Sequence, residues 1–321
     1  MGIRELVLGL DVGGTNTAMG LVDREGRCLA ARSLPTPRQG PASVFFERLG
    51  VEARRLIEAL EPPARLVGVG LGAPNANHAR GTLDDPPNLD WGQVDLQREF
   101  APHFQAPWVA SNDANAAALG EMLFGAARGM KDFIAITLGT GLGSGIVVNG
   151  ALVYGTTGLA GELGHLLVEP KGRMCGCGRR GCLETYVSAT GLVATVTEWL
   201  GSRTAPSRLR SLPPEALTSR AVFEAAEAGD PLAHAAFDFT GEMLGRSLAD
   251  AVAFTSPEAI LLLGGLAAAG EWLFGPTRRA LEANLMNCYR GSVRLLPSGL
   301  GGGNPAILGA AALAWKELVD R

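Results

Sequence analysis

The stretch GELGHLLVEPKGRMCGCGRRGC, Gly161 to Cys182, gathers one histidine and three of the chain's five cysteines. His165, Cys175, Cys177 and Cys182 are a complete donor set for tetrahedral structural zinc, which takes four nitrogen or sulfur ligands. The cysteine spacing, C-x-C-x4-C, is not that of common zinc fingers, so a chance cluster stands beside the metal reading. A disulfide framework fits neither the odd cysteine count nor a reducing compartment. Cys28 and Cys288 lie elsewhere and are expected to be buried thiols.

Acid–base chemistry has its own candidates. In SNDANAAALGE, Ser111 to Glu121, the pair Asn112-Asp113 follows a strand-like WVA and precedes a helix expected from about Ala114. Such a polar pair can simply cap the helix. Equally, Asp113 can be a general base for a substrate hydroxyl in phosphoryl transfer, with Asn112 holding a neighbouring hydroxyl. Glu162 precedes His165 by three residues, which would put both on one face if GELGH is helical.

Two glycine loops, DVGGTNT (Asp11 to Thr17) and GTGLGSG (Gly139 to Gly145), could cradle phosphates through backbone N–H groups, with hydroxyls from Thr15 and Thr140. Neither has the P-loop pattern or G-x-G-x-x-G, and each leads into a strand. Tight hairpins are the alternative. Asp11, at a strand end, would sit near Mg2+ through water, because Mg2+ keeps several waters.

These groups need elements to hold them. Leu6 to Leu10, AMGLVD and CLAARSL read as three strands of a β-meander, their links being too short for a crossover helix. Val44 to Leu60 has helical spacing, and Leu66 to Pro74 reads as a buried strand entering a turn. Phe133 to Val153 repeats the opening layout of strand, glycine loop, strand, turn and strand. Asp11-Val-Gly-Gly then falls opposite Thr137-Leu-Gly-Thr, as expected for an internal duplication. Helices are expected over Ser219 to Ala228, Pro231 to Phe254 and Pro305 to Val319, with a buried strand and glycine turn over Ala259 to Gly270.

The composition sets the class. A chain of 321 residues, 47% hydrophobic and 19% charged, is globular and long enough for two α/β domains. A net charge of −4 gives no broad basic surface for nucleic acid or an anionic membrane. No apolar run reaches the roughly 18 residues of a membrane span. MGIRELVLGLDVGG enters a strand and a glycine loop directly, so neither a signal peptide nor an upstream DNA-binding domain is expected, and the location expected is cytoplasmic.

Asp11 to Thr17, Asn112-Asp113, Glu162-x-x-His165, CGCGRRGCLE (Cys175 to Glu184) and Gly264-Gly265 together resemble the ROK family of bacterial sugar kinases, over the whole chain. The resemblance implies two duplicated actin-like (ribonuclease H-like) α/β domains around a hinged cleft. Residues 1–112 with about 304–321 would form the smaller domain and residues 113–303 the larger, zinc-bearing one. It implies ATP-dependent phosphorylation of a hexose 6-hydroxyl, D-glucose first. The alternatives are N-acetylmannosamine or another hexose as substrate, or a sugar-binding regulator without catalysis. Carried onto this sequence, Asp113 is the base; Asn112, Asp113, Glu162, His165 and Glu184 bind the sugar; His165, Cys175, Cys177 and Cys182 hold zinc. Asp11, Gly13, Gly14, Thr15, Thr140, Gly141, Gly264 and Gly265 serve ATP and Mg2+. The partners implied are hexose, ATP and further copies of the chain in a homodimer or homotetramer. A zinc-bound histidine nitrogen carries no proton, so the other ring nitrogen would donate to a sugar oxygen. One stretch departs from the family pattern. Ala73 to Asn77 reads APNAN where many members read PGPVD, which leaves Asn88, in the family-like PNLDW, as a candidate sugar contact.

Overall fold

The computed structural model describes residues 4–87, 89–301 and 304–319. Strands β1 (Arg4–Val12), β2 (Asn16–Val22) and β3 (Cys28–Pro35) form the expected meander, with Asp11 opposite Ala18. Helix α1 (Ala42–Glu58) turns Phe45, Phe46, Leu49 and Ala53 inward, the apolar stripe its spacing requires. Strand β4 (Ala64–Gly72) joins β1 in parallel. A small sheet of β5 (Ala76–Asn77), β6 (Thr82–Leu83) and β7 (Val94–Asp95) and the short α2 (Leu96–Glu99) lead to β8 (Trp108–Ser111). The first sheet has the order β3-β2-β1-β4-β8.

Helix α3 (Asp113–Phe124) crosses into the second half. There β9 (Phe133–Leu138), β10 (Leu142–Val148), β11 (Ala151–Leu152), β12 (Ala259–Leu263) and β13 (Arg294–Pro297) form a sheet of order β11-β10-β9-β12-β13. Its central strand is antiparallel to the second strand of its own hairpin and parallel to β12, as β1 is to β2 and β4. Strand order and direction therefore repeat between the halves. Asp11 lies opposite Gly72, and Thr137 opposite Leu263.

Between β10 and β12 come α4 (Glu184–Val187), α5 (Ala189–Ser202), α6 (Ser219–Glu227) and α7 (Pro231–Thr255). Asp230 caps α7 by accepting from Leu232 N and Ala233 N, and Pro231 opens it. Helix α8 (Glu271–Asn284) follows β12. Helix α9 (Pro305–Ala314) ends earlier than its apolar pattern predicts and passes into a π turn, Trp315–Val319. It lies directly on the first sheet: a Cβ on Gly70 would stand 1.8 Å from Ala310 O. It also crosses α3, where a Cβ on Gly309 would stand 2.8 Å from Ala116 O.

Among the described residues no helix is long and apolar enough to cross a membrane. All five cysteines are free, and Cys288 is exposed rather than buried because it falls in a surface turn, Asn287–Tyr289. Cys28 is half-buried.

Candidate active site

The cysteine stretch folds as a tight knuckle. Cys175 N donates to Arg179 O and Gly178 N to Cys175 O, and the bridge Leu167↔Cys182 ties the end of the knuckle to the segment that follows His165. Arg179 also donates to His165 O at 2.6 Å. The donor atoms of His165, Cys175, Cys177 and Cys182 lie within 4.8 Å of one another. Cys177 Sγ is 3.6 Å from Cys182 Sγ, and His165 Nδ1 is 3.6 Å from Cys175 Sγ. A zinc–sulfur bond of about 2.3 Å gives a tetrahedron edge of about 3.8 Å, so donor chemistry and spacing both fit the metal. Hydrogen bonding from Arg179 brings the Cys177 thiol down to about 6, while burial pushes Cys175 up to about 12.

GELGH is not an α-helix. Glu162 precedes a 3-10 turn, Leu163–His165. Positions three apart eclipse in such a turn, so the pair still shares a face, with His165 Nε2 3.8 Å from Glu162 Oε2. The ring thus presents Nδ1 to the thiols and Nε2 to the carboxylate. Cys175 Sγ also lies 3.7 Å from Glu184 Oε1, at the first turn of α4.

Helix α3 begins at Asp113, one residue earlier than expected, and the cap is Asn112 alone. Its Oδ1 accepts from Asn115 N at 2.7 Å. What Asn112 offers a substrate hydroxyl is therefore its Nδ2 donor. Asp113 accepts from its neighbour Ala114 N at 2.9 Å, and desolvation holds its carboxyl above the ordinary range against that bond and one from its own N–H. Burial, and then the charge of Asp113, push Asp11 up to about 6. Glu162 is raised by burial and by the charges of Glu184 and Asp113, against the pull of His165. Asp113 thus stands within electrostatic reach of both Asp11 and Glu162.

A cavity of about 290 Å³ is lined by Asp11, Asp113, Thr137, Gly264 and Pro305, so the duplicated positions Asp11 and Thr137 border the same space. A second cavity, of about 540 Å³, is lined by Gly139, Thr140, Gly265 and the aromatic rings of Phe223 and Phe237.

The ROK family model matches residues 7–317. The chain belongs to the ROK family. Among ROK proteins it is 35% identical to a glucokinase of Thermotoga maritima, over 97% of this chain and 98% of that one. It is 34% identical to a glucokinase of Streptomyces coelicolor, over 96% and 97%. It also superposes on a crystal structure of a ROK glucokinase from Streptomyces griseus in complex with glucose and AMPPNP, with a TM-score of 0.79 and 34% identity, over 97% of this chain and 99% of that one.

Within this ROK fold, Asp113, Glu162, His165 and Glu184 converge, and Asn112 adjoins them. Thr140 and Gly265 line the larger cavity, and Asp11 and Gly264 the smaller. Gly13, Gly14 and Thr15 line neither; Gly13 N closes the hairpin on Asn16 O, and Thr15 O accepts from Thr36 N. Gly141 lies against Glu184 rather than a cavity. Asn88 lies outside the described residues. In the stretch that departs from the family, Asn75 Nδ2 is spent on Asp84 O and Asp85 O. Asn77 is buried and donates to Thr157 O at 2.9 Å, joining the first half to the loop after β11. Nearby, His78 stacks on Tyr154 with centroids 4.1 Å apart. Sequence reasoning missed these contacts, which join residues up to 80 apart in the chain.

Proposed function

We propose that this ROK protein transfers the γ-phosphoryl group of ATP to the 6-hydroxyl of D-glucose. The observation that carries the reading is the Asp113 carboxylate, which borders the same cavity as Asp11 and lies within electrostatic reach of Glu162. Glu162, Glu184, His165 Nε2 and Asn112 Nδ2 would take the sugar hydroxyls and leave the 6-hydroxyl at Asp113. As the O6–phosphorus bond forms and the bond from phosphorus to the β–γ bridging oxygen breaks, the hydroxyl proton passes to Asp113 and ADP leaves. Burial that raises the Asp113 pKa makes it a stronger base once ionised.

Asp11 would hold Mg2+ through water; when bound, the ion offsets charge on the transferring phosphates. Gly13, Gly14 and Thr15 from one loop, Thr140 and Gly141 from the other, and Gly264-Gly265 would contact ATP. The Phe223 and Phe237 rings suit the larger cavity to the apolar faces of a nucleoside. Zinc on His165, Cys175, Cys177 and Cys182 would be structural and would fix the tautomer of His165. The lobes are residues 1–112 with about 304–321, and residues 113–303. They close on sugar about the α3–α9 crossing and keep water from the γ-phosphate. The enzyme's use of cellular ATP would suit a cytoplasmic location.

The test is ADP release with ATP and a panel of glucose, mannose and N-acetylmannosamine, repeated with polyphosphate as donor. Glucose-dependent ADP release far above the sugar-free rate is expected. Tight sugar binding with no ADP release for any sugar would overturn the reading in favour of a regulator.

A further inference from the structure

The loop Gly139 to Leu142 is fastened to the corner between α4 and α5, directly after the cysteine knuckle. Ala189 N donates to Gly139 O at 2.9 Å. Thr190 Oγ1 donates to Thr140 O at 2.7 Å. Leu142 N donates to Glu184 Oε2 at 2.9 Å. Ser188 Oγ, which accepts from Gly191 N at 3.0 Å, sits 2.9 Å from Thr190 Oγ1 and can donate to it. Each hydroxyl in this short chain then has both a donor and an acceptor.

A trans peptide points its C=O and its N–H to opposite sides. The Gly139 carbonyl shares a peptide with Thr140 N–H, and the Thr140 carbonyl with Gly141 N–H. With both carbonyls pinned to α5, both N–H groups face away from it. Neither has a protein acceptor among the described residues, and Gly139 and Thr140 border the 540 Å³ cavity. Two adjacent N–H groups held in parallel form an anion-binding concavity. A Cβ on Gly141 would stand 2.4 Å from Glu184 Oε2, so a side chain there would displace the carboxylate that holds Leu142 N.

We propose that Thr190 is a positioning residue for the nucleotide: its hydroxyl aims the amides of Thr140 and Gly141 at a phosphate of ATP, and Glu184 holds the loop's far end. This rests on the kinase reading above. The other Glu184 oxygen lies 3.7 Å from Cys175 Sγ, and on the kinase reading it would serve the sugar, so both substrates would meet one corner.

The test is Thr190→Val, which keeps the shape and removes the donor, with Thr190→Ser as rescue. AMPPNP affinity is measured by calorimetry, alongside KM for ATP and for glucose, zinc content and Tm. Thr190 is exposed, so the fold should tolerate the change. Expected for Thr190→Val is a rise of about three- to tenfold in the AMPPNP Kd and the ATP KM, the worth of one net hydrogen bond. The glucose KM and zinc content should stay at wild-type values, and Thr190→Ser should restore nucleotide affinity. Gly141→Ala, which attacks the Glu184 end, should weaken AMPPNP in the same way. Unchanged AMPPNP affinity in Thr190→Val would overturn the proposal. So would parallel loss of glucose and ATP affinity with a lowered Tm that serine does not repair, since that marks a purely structural role. Wild-type protein that binds no AMPPNP would overturn the kinase reading itself, and this proposal with it.

Discussion

Replacing Asp11 by Asn should stabilise the protein while removing its turnover. Burial and the neighbouring Asp113 charge lift the Asp11 pKa from 3.8 to about 6. The folded state therefore binds this proton more tightly than the unfolded chain does. Below about pH 3.8 both states are protonated and the residue costs nothing. Between 3.8 and 6 the unfolded state ionises first and stability falls; above 6 the penalty is complete. A shift of about 2.2 units at 1.36 kcal/mol each gives about 3 kcal/mol. That is an upper figure, since Asp11 is only partly buried and cleft water screens some of it. Asparagine keeps the shape without the charge. At pH 7.5, free of nucleotide and magnesium, Asp11→Asn should raise the thermal midpoint by up to about 6 °C, at roughly 2 °C per kcal/mol. At pH 5 the same linkage leaves about 1.6 kcal/mol, so the gain should roughly halve. Paired melts of both proteins at the two pH values make the comparison. A variant less stable than wild type at pH 7.5, or equally stabilised at both pH values, would refute the reasoning.

Asp113→Asn should lower kcat by about 10²- to 10⁴-fold with glucose affinity kept within a few-fold, measured by steady-state kinetics and calorimetry. A near wild-type rate would return Asp113 to a purely helix-opening role. Because the Asp113 carboxyl is raised and must be ionised to take a proton, kcat should fall on acidification at a pH above the ordinary carboxylate range, as a pH–rate profile would show. One equivalent of zinc per chain is expected by elemental analysis, and Cys182→Ser should lose metal and glucose affinity together. A dialysed, fully active protein with less than about half an equivalent would contradict the site. Saturating glucose should reduce the radius of gyration in small-angle scattering; an unchanged value with rapid sugar-independent ATP hydrolysis would count against a closing kinase.

What was legible in the sequence follows the range of the interaction. The meander, α1 and the start of α7 at Pro231 rest on contacts within a few residues, and spacing and punctuation revealed them. The duplication was visible because glycine loops and strand order repeat, and the two sheets carry the same order and directions. The four-donor cluster could be named because His165 and the knuckle lie close in sequence. Asn112-Asp113 posed a choice between cap and base that sequence could not resolve, since either residue can cap. In the fold Asn112 takes the cap and leaves Asp113 for the cleft. Cys288 was misjudged because thiol burial is a tendency of composition, and its place in a surface turn is set by the chain on either side. Helix α5 and the Asn77–Thr157 contact left no local signal.

Glu184 shows most directly why position in the fold exceeds position in a motif. It lies two residues beyond Cys182, and the family resemblance assigned it to the sugar. One of its oxygens holds Leu142, which is 42 residues earlier in the chain, and that same oxygen occupies the space a Cβ on Gly141 would need. The glycine in that loop was read as room for a phosphate, yet the space it vacates is filled by a carboxylate. If Glu184 serves both the sugar and the loop, a sugar that draws its carboxylate toward the pocket also pulls on the nucleotide amides. Binding of the two substrates should then be coupled, and by linkage the coupling must be equal in both directions. Glucose should change the AMPPNP Kd by the factor by which AMPPNP changes the glucose Kd, and Gly141→Ala should bring that factor toward one. Calorimetric titration of each ligand with and without the other measures it. A factor the same in Gly141→Ala as in wild type would show that the coupling runs through lobe closure alone and not through Glu184.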